Sequence, residues 1–130
     1  MTETGIFRVA SPAIPGIADS VRASRDELIF VSGAVALPEG DAFADFADGV
    51  EAVLAELDRA LERAGSDRRH LVKISVYITD HDKSKLAAFR TVRDAWLDGA
   101  EPPASTLIGI ARLFDDRISI EIDAVAIPSS

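Results

Sequence analysis

The sequence of 130 residues contains no cysteine, which excludes disulfide bonds, thiolate nucleophiles and cysteine-ligated zinc sites. It is also poor in positive charge, with 14 Lys and Arg against 22 Asp and Glu and a formal net charge of −8. Proteins that bind nucleic acid concentrate Lys and Arg, so we expect no nucleic-acid partner. The chain has no basic-then-apolar leader pattern and no apolar run long enough to span a bilayer. We therefore expect a cytoplasmic protein without a membrane partner.

The length and a hydrophobic fraction of 48% fit one globular domain over residues 1–130. Alternation of apolar and polar residues, or a short apolar run, predicts six strands: Ile6–Ala10, Val21–Ser24, Leu28–Ser32, Leu71–Thr79, Thr106–Leu113 and Arg117–Ile127. Apolar residues at helical spacing predict a first helix over Phe43–Ala64, capped by Asp41 or Asp45. They also predict a second helix, capped by Asp80 or Asp82, that runs to about Leu97.

These elements give the order β-β-β-α-β-α-β-β and an α+β fold in which both helices cover one face of a single sheet. The second and third strands are predicted to form a hairpin around Arg25-Asp26-Glu27, and the apolar run Leu28–Val31 predicts a central strand. The turn Phe114-Asp115-Asp116 joins the last two strands. The uncovered face would carry both apolar and polar groups, which predicts association through the sheet; its residues are Ser75, Tyr77, Ile108, Ile110, Val125 and Ile127.

Glu121 is the candidate catalytic residue, because it places a carboxylate in the middle of an alternating strand. A soluble sheet rarely carries charge there unless the face is wet, lines a pocket or forms a subunit interface. The alternative is a structural ion pair with Arg112 or Arg117 on neighbouring strands.

Several segments, in this order and spacing, resemble the Rid (reactive intermediate deaminase, YjgF-like) family. They are Leu28–Gly33, Leu71–Asp80, Pro103-Ala104, Ile110–Leu113 and Ile120–Ala126. The resemblance covers nearly the whole chain. It implies a chorismate-mutase-like fold with a six-stranded mixed sheet, and a homotrimer with clefts between subunits.

Members of that family hydrolyse small reactive enamines and imines to a 2-keto acid and ammonia. The resemblance implies that Glu121 orients the attacking water. The arginine that holds the substrate carboxylate in the family is replaced here by Ser105, a loop tyrosine by Ile17, a glutamine by Ala34 and a helix asparagine by Arg90. The chain therefore resembles divergent Rid subgroups that lack the arginine.

The resemblance then implies a deaminase-like hydrolase of altered specificity that acts on a small molecule. Substrate contacts are expected from Ser32, Gly33, Ser105 and Thr106, with Ile17 and Ala34 making the pocket roomier and less polar. Arg90 is either a relocated carboxylate clamp or a solvated helix arginine. No metal and no organic cofactor are expected, because an imine carbon is already electrophilic enough for water.

Two other functions stay open at this point. A non-catalytic module that binds a metabolite or a partner protein would fit the loss of the tyrosine and the arginine, although it leaves Glu121 without a role. Ribonuclease activity would need a basic groove, which fits poorly with the acidic balance of the sequence.

Overall fold

The computed structural model describes residues 5–130 and contains six strands and two α-helices in the predicted order. The strands are β1 (Ile6–Ala10), β2 (Ala18–Ala23), β3 (Ile29–Ala34), β4 (Leu71–Thr79), β5 (Ala104–Ile110) and β6 (Ile120–Ala126). The helices are α1 (Phe46–Arg63) and α2 (Lys83–Leu97).

The strands form one mixed sheet in the order β1-β2-β5-β4-β6-β3. Strands β2, β5 and β4 run parallel, whereas β1 is antiparallel to β2, β6 to β4, and β3 to β6. The predicted α+β architecture is confirmed, including the mixed sheet and the two helices on one face.

Asp45 caps helix α1: its carboxylate accepts a hydrogen bond of 2.9 Å from the Asp48 N–H and so satisfies one free donor of the first turn. Its apolar side chains recur every three or four residues and are almost fully buried against the sheet. That face comprises Val50, Val53, Leu54, Leu57 and Leu61. The sequence left Asp41 and Asp45 open as caps, and the structure selects Asp45.

Helix α2 begins after Asp82, which accepts a hydrogen bond of 2.8 Å from the Lys85 N–H. It buries Phe89, Arg93 and Leu97, while Val92 and Trp96 pack beside the core. Neither helix within residues 5–130 is long and apolar enough to cross a membrane.

The predicted hairpin around Arg25-Asp26-Glu27 is wrong. Strand β2 pairs with β1 and β5, and β3 pairs with β6 at the opposite end of the sheet. The predicted central position of the third strand is also wrong, because β3 is an edge strand. Its apolar residues on the second face are exposed, Phe30 by 75% and Leu28, just before the strand, by 51%. The apolar run Leu28–Val31 therefore does not indicate burial on both faces, because one face of this strand is uncovered.

Strands β5 and β6 are joined in sequence by the turn at Phe114–Asp116, but they are not neighbours, because β4 lies between them. Both are shorter than predicted, since residues 111–119 form a loop. On the face away from the helices, Ile108 is 44% exposed and Tyr77 and Val125 are half-buried, as the expectation of an uncovered face requires. Ile127 does not belong to that face, because it is fully buried beyond the end of β6.

The capping geometry of α1 yields a test with a charge-matched control. Asp45→Ala removes the bond to the Asp48 N–H, so we expect the free energy of unfolding to fall by about 1 kcal/mol. Asp41→Ala removes the same charge from an exposed loop position and should change it by less than about 0.5 kcal/mol. Urea denaturation at one fixed protein concentration measures both variants. Equal losses in the two variants would contradict the assignment of the cap.

Candidate functional site

The uncovered face of the sheet carries a polar row on β4 and β6, which are adjacent and antiparallel. In β4 and β6 the residues that face the helices are apolar, while those between them point to the open side. The register places Tyr77 opposite Glu121 and Ser75 opposite Asp123. Glu121 and Asp123 therefore share the open face, each half-buried between its strand neighbours.

Glu121 lies directly over Gly33 of the edge strand β3. A Cβ atom added to Gly33 would lie 2.6 Å from Glu121 Cδ, so the carboxylate occupies the space that a side chain at position 33 would fill. A β-bulge interrupts the β3–β6 ladder between Val31 and Ala34 and leaves Ser32 and Gly33 without register partners. Bulges commonly lie next to active sites, where they redirect a side chain or backbone group.

The structural ion pair considered for Glu121 is wrong. Across residues 5–130 Glu121 makes no salt bridge, and Arg117 instead donates to Asp115 through Nη2 at 2.8 Å. The guanidinium of Arg117 holds the pKa of Asp115 at about 2, well below its ordinary value. Arg112 is exposed and makes no ion pair within the same residues. Glu121 is therefore a half-buried carboxylate without a basic partner in the described chain.

Asp123, two residues further along β6, is engaged by a neighbour. The Tyr77 hydroxyl donates to Asp123 Oδ2 at 3.0 Å. This hydrogen bond, together with the negative charge of Asp123 and a smaller contribution from Glu121, raises the pKa of Tyr77 above its ordinary value. On the same face Lys73 Nζ donates to Thr106 Oγ1 at 2.8 Å, so the hydroxyl expected to contact substrate already accepts one hydrogen bond.

A second group of candidate residues lies on the helix side of the sheet. Ser105 and Leu107 of β5 are level with Ile74 and Val76, which face the helices. Between β5, α2 and the loop before β2 there is a hollow of about 190 Å³. It brings together three residues predicted from the sequence, Ile17, Arg90 and Ser105; its other lining residues are Ile14, Leu86, Phe89, Arg93 and Leu107.

One chain does not unite these two groups. Glu121 and Gly33 lie on the open side of the sheet, whereas Ser105 points toward the helices, with β4 between the two strands. Three positions along the strand and two strand spacings separate Ser105 from Glu121, roughly 10 Å in each direction. Ala34, expected in the pocket, packs against the hydrophobic core. A single copy therefore keeps the Glu121 group and the Ser105 group apart.

Arg93 is a further candidate site residue, and the sequence pattern did not single it out. It is only 5% exposed and lines the hollow beside Ser105, while Arg90, the proposed clamp, is exposed. Arg93 donates from Nε and Nη2 to Asp94 Oδ1 at 3.1 and 2.9 Å. The sequence signal that could have indicated its burial is the helical spacing, which places Arg93 on the inner face of α2.

No group of three or more Asp, Glu or His side chains in the described part of the chain is arranged to hold a metal ion. In the segment Asp80-His81-Asp82 the Asp82 carboxylate caps α2 through the Lys85 N–H.

Comparison with known proteins places this geometry among folds of the YjgF type. A conserved Rid-family protein of unknown function from Yersinia pestis superposes with a TM-score of 0.84 at 25% identity, covering 94% of this chain and 98% of the other. A YjgF-family protein from Neisseria meningitidis gives a TM-score of 0.68 at 29% identity, covering 99% of each chain.

Sequence comparison agrees with the structural one. The family described as Endoribonuclease L-PSP matches residues 12–128. A RutC family protein from Aquifex aeolicus (strain VF5) is 33% identical over 100 residues, which are 75% of this chain and 79% of that protein. The chain belongs to the Rid/YjgF family.

The open-face geometry predicts the titration of Tyr77, which is the single tyrosine of the chain. Its phenolate absorbance should rise with a midpoint above pH 10.0, and Asp123→Asn should move that midpoint to lower pH. Because the pKa is raised on folding, the hydrogen bond contributes stability below about pH 10, and this contribution is lost as pH rises through the folded-state value.

Glu121→Gln serves as the control and should move the Tyr77 midpoint less, because Glu121 acts on the phenol only through its charge. An Asp123→Asn midpoint equal to that of the wild type would contradict the assigned hydrogen bond.

Proposed function

We propose that this protein hydrolyses a small imine or enamine, with Glu121 as the general base. The observation that carries the proposal is a half-buried carboxylate that has no basic partner within residues 5–130 and rests against Gly33 at a β-bulge. A carboxylate held in this way remains free to accept a proton from water. The fold and the family of the chain support the same reading.

The reaction follows from the chemistry of a C=N bond. Glu121 accepts a proton from water while the water oxygen bonds to the imine carbon, and the C=N π electrons take up a proton from solvent at nitrogen. In the resulting carbinolamine Glu121 returns its proton to the nitrogen, the C–N bond breaks to release ammonia, and the hydroxyl loses its proton to solvent as the carbon becomes a carbonyl. An enamine enters the same sequence after protonation at its β-carbon. General acid–base catalysis of this kind contributes about 10²- to 10⁴-fold in rate.

Substrate contacts near Glu121 are supplied by the edge of the sheet. Strand β3 is paired on one side only, and Ser32 and Gly33 lie outside the regular ladder. Unpaired N–H and C=O groups at a sheet edge are available to a ligand. The main-chain groups of Ser32 and Gly33 would hold the nitrogen and the carbon skeleton of the substrate while Glu121 positions the water.

We further propose that the working form is a homotrimer in which each cleft joins the Glu121 half-site of one copy to the Ser105 half-site of its neighbour. Two observations support this. The two half-sites of one chain lie on different sides of the sheet, and the open face exposes apolar side chains such as Phe30 and Ile108. Large exposed apolar patches usually mark association surfaces.

A non-catalytic binding role is the second candidate. The hollow beside Ser105 is lined by apolar side chains and two arginines and is separate from Glu121 within the chain, so it could retain a ligand without turning it over. Ribonuclease activity has weaker support, because the net charge of −8 opposes binding to a phosphate backbone.

The catalytic proposal is tested by ammonia release from 2-aminoacrylate generated in the assay, measured as acceleration over the enzyme-free rate. Glu121→Ala and Glu121→Gln should each lose about 100-fold or more, because water is no longer activated. Asp123→Asn removes a carboxylate from the same strand face and should retain most of the activity, since Asp123 is engaged by Tyr77. Wild-type rates in both Glu121 variants would refute the proposed base.

The assembly proposal is tested by sedimentation at micromolar concentration, where we expect a trimer. Phe30 on the open face and Phe114 in the β5–β6 loop are each 75% exposed, which makes them a matched pair. Phe30→Asp should shift the protein toward monomer, and Phe114→Asp should leave the trimer intact. A compact wild-type monomer would contradict the shared cleft.

A further inference from the structure

The hollow on the helix side of the sheet is small and has apolar walls. Its volume of about 190 Å³ suits a small molecule. Five of its eight lining residues are Ile, Leu or Phe, and the remaining three are Arg90, Arg93 and Ser105. No acidic residue lines it. In a chain with a net charge of −8, this hollow concentrates positive charge.

Arg93 carries that charge at the wall of the hollow with few protein partners. A buried guanidinium is costly unless it is paired and hydrogen-bonded. Here Nε and Nη2 share one oxygen of Asp94, a side chain that is itself 62% exposed. Among residues 5–130 the third nitrogen, Nη1, has no hydrogen-bond partner, and it is not fully buried. Its N–H groups are therefore available to a ligand.

The guanidinium is held in position by its surroundings. Its Cζ lies 5.6 Å from the centroid of the Phe89 ring. On another side it packs under Gly16, where an added Cβ atom would lie 2.5 Å from Arg93 Cζ and where φ is +82°. Only a glycine allows both this backbone conformation and this close approach. A preoriented cation loses little conformational freedom on binding an anion.

Arg90 and Ser105 complete the polar part of the hollow. Arg90 precedes Arg93 by three residues, so it lies on the same side of α2, but it is exposed to solvent. The Ser105 hydroxyl has no hydrogen-bond partner in the part of the chain that the structure describes. It can donate one hydrogen bond to an anion bound at Arg93.

We propose that Arg93 binds the carboxylate of a small organic acid with an apolar body, that Ser105 donates a second hydrogen bond, and that Arg90 contributes only long-range charge. The proposal deepens the proposed function and rests on it in one respect: the carboxylate would belong to the imine substrate or its keto-acid product. It replaces Arg90 by Arg93 as the anchor, because Arg93 is the guanidinium that lines the hollow while buried.

Binding of simple probes tests the anchor without catalysis. Butyrate has six non-hydrogen atoms, and butyramide is its neutral isostere. We expect calorimetric or NMR titration to show that butyrate binds about 10- to 150-fold more tightly than butyramide, the range of one charge-assisted hydrogen bond. Inorganic phosphate should bind more weakly than butyrate, because it gains nothing from the apolar walls. Equal binding of butyrate and butyramide, or tighter binding of phosphate, would overturn the proposal.

Variants then locate the charge. Arg93→Gln should lose the preference for butyrate, whereas Arg90→Gln, a neighbour with the same change, should keep most of it. Because Arg93 is buried, Arg93→Gln could fail to fold; Arg93→Lys keeps the charge without the planar fork and should show intermediate affinity. Circular dichroism checks folding. A preference lost in Arg90→Gln and retained in both Arg93 variants would overturn the assignment.

The same titration on Glu121→Ala should show the same preference for butyrate, because Glu121 does not line the hollow. Two outcomes then distinguish the anchor from the hydrolase. Butyrate binding without ammonia release in the wild type would support the anchor and refute the hydrolase. Ammonia release from 2-aminoacrylate without a preference for butyrate would refute the anchor and leave the hydrolase standing.

Discussion

The two helices cover only one face of the sheet. Side chains alternate along β4 and β6, so apolar residues face the helices and polar residues face the open side. Ile120, Ile122 and Ala124 are buried against the helices, and they bracket Glu121 and Asp123 on the opposite side. A slip of one residue in register would bring both carboxylates into the core. The large cost of burying an unpaired charge therefore fixes the position of Glu121. The candidate base is held on the open face by the apolar residues on either side of it.

The spacing of hydrophobic residues along the sequence predicted most of the helices and strands. The bounds of β4 and the end of α2 agree with the structure because each element alternates strongly against one core. Strand partners were predicted less well, since a period of two specifies which face a residue occupies and is silent about which strand lies beside it. For the same reason Leu28–Val31 was assigned to the centre of the sheet, although exposed Phe30 places its second face on an open surface.

Those candidate site residues that break a local sequence pattern could be predicted from the sequence. Glu121 is a charge in mid-strand, and Gly33 lies within the bulge that accommodates it. Arg93 breaks a pattern as well, but arginine on the inner face of a helix commonly buries its stem and extends its head to solvent. Arg90 and Arg93 lie within one turn, so the sequence alone could not tell which guanidinium is buried. The depth of burial depends on Gly16, which comes from the loop before β2, and on Phe89, which lies four residues earlier on α2.

Ser105 and Arg93 are best understood together. An arginine at position 105, as the resemblance to the family implies, would project from β5 toward the same hollow that Arg93 lines from α2. Two like charges in that space would repel each other. A small hydroxyl at position 105 avoids this repulsion and leaves a hydrogen-bond donor facing the hollow. The loss of the strand arginine is therefore compatible with continued recognition of an anion, provided that the cation is supplied by the helix.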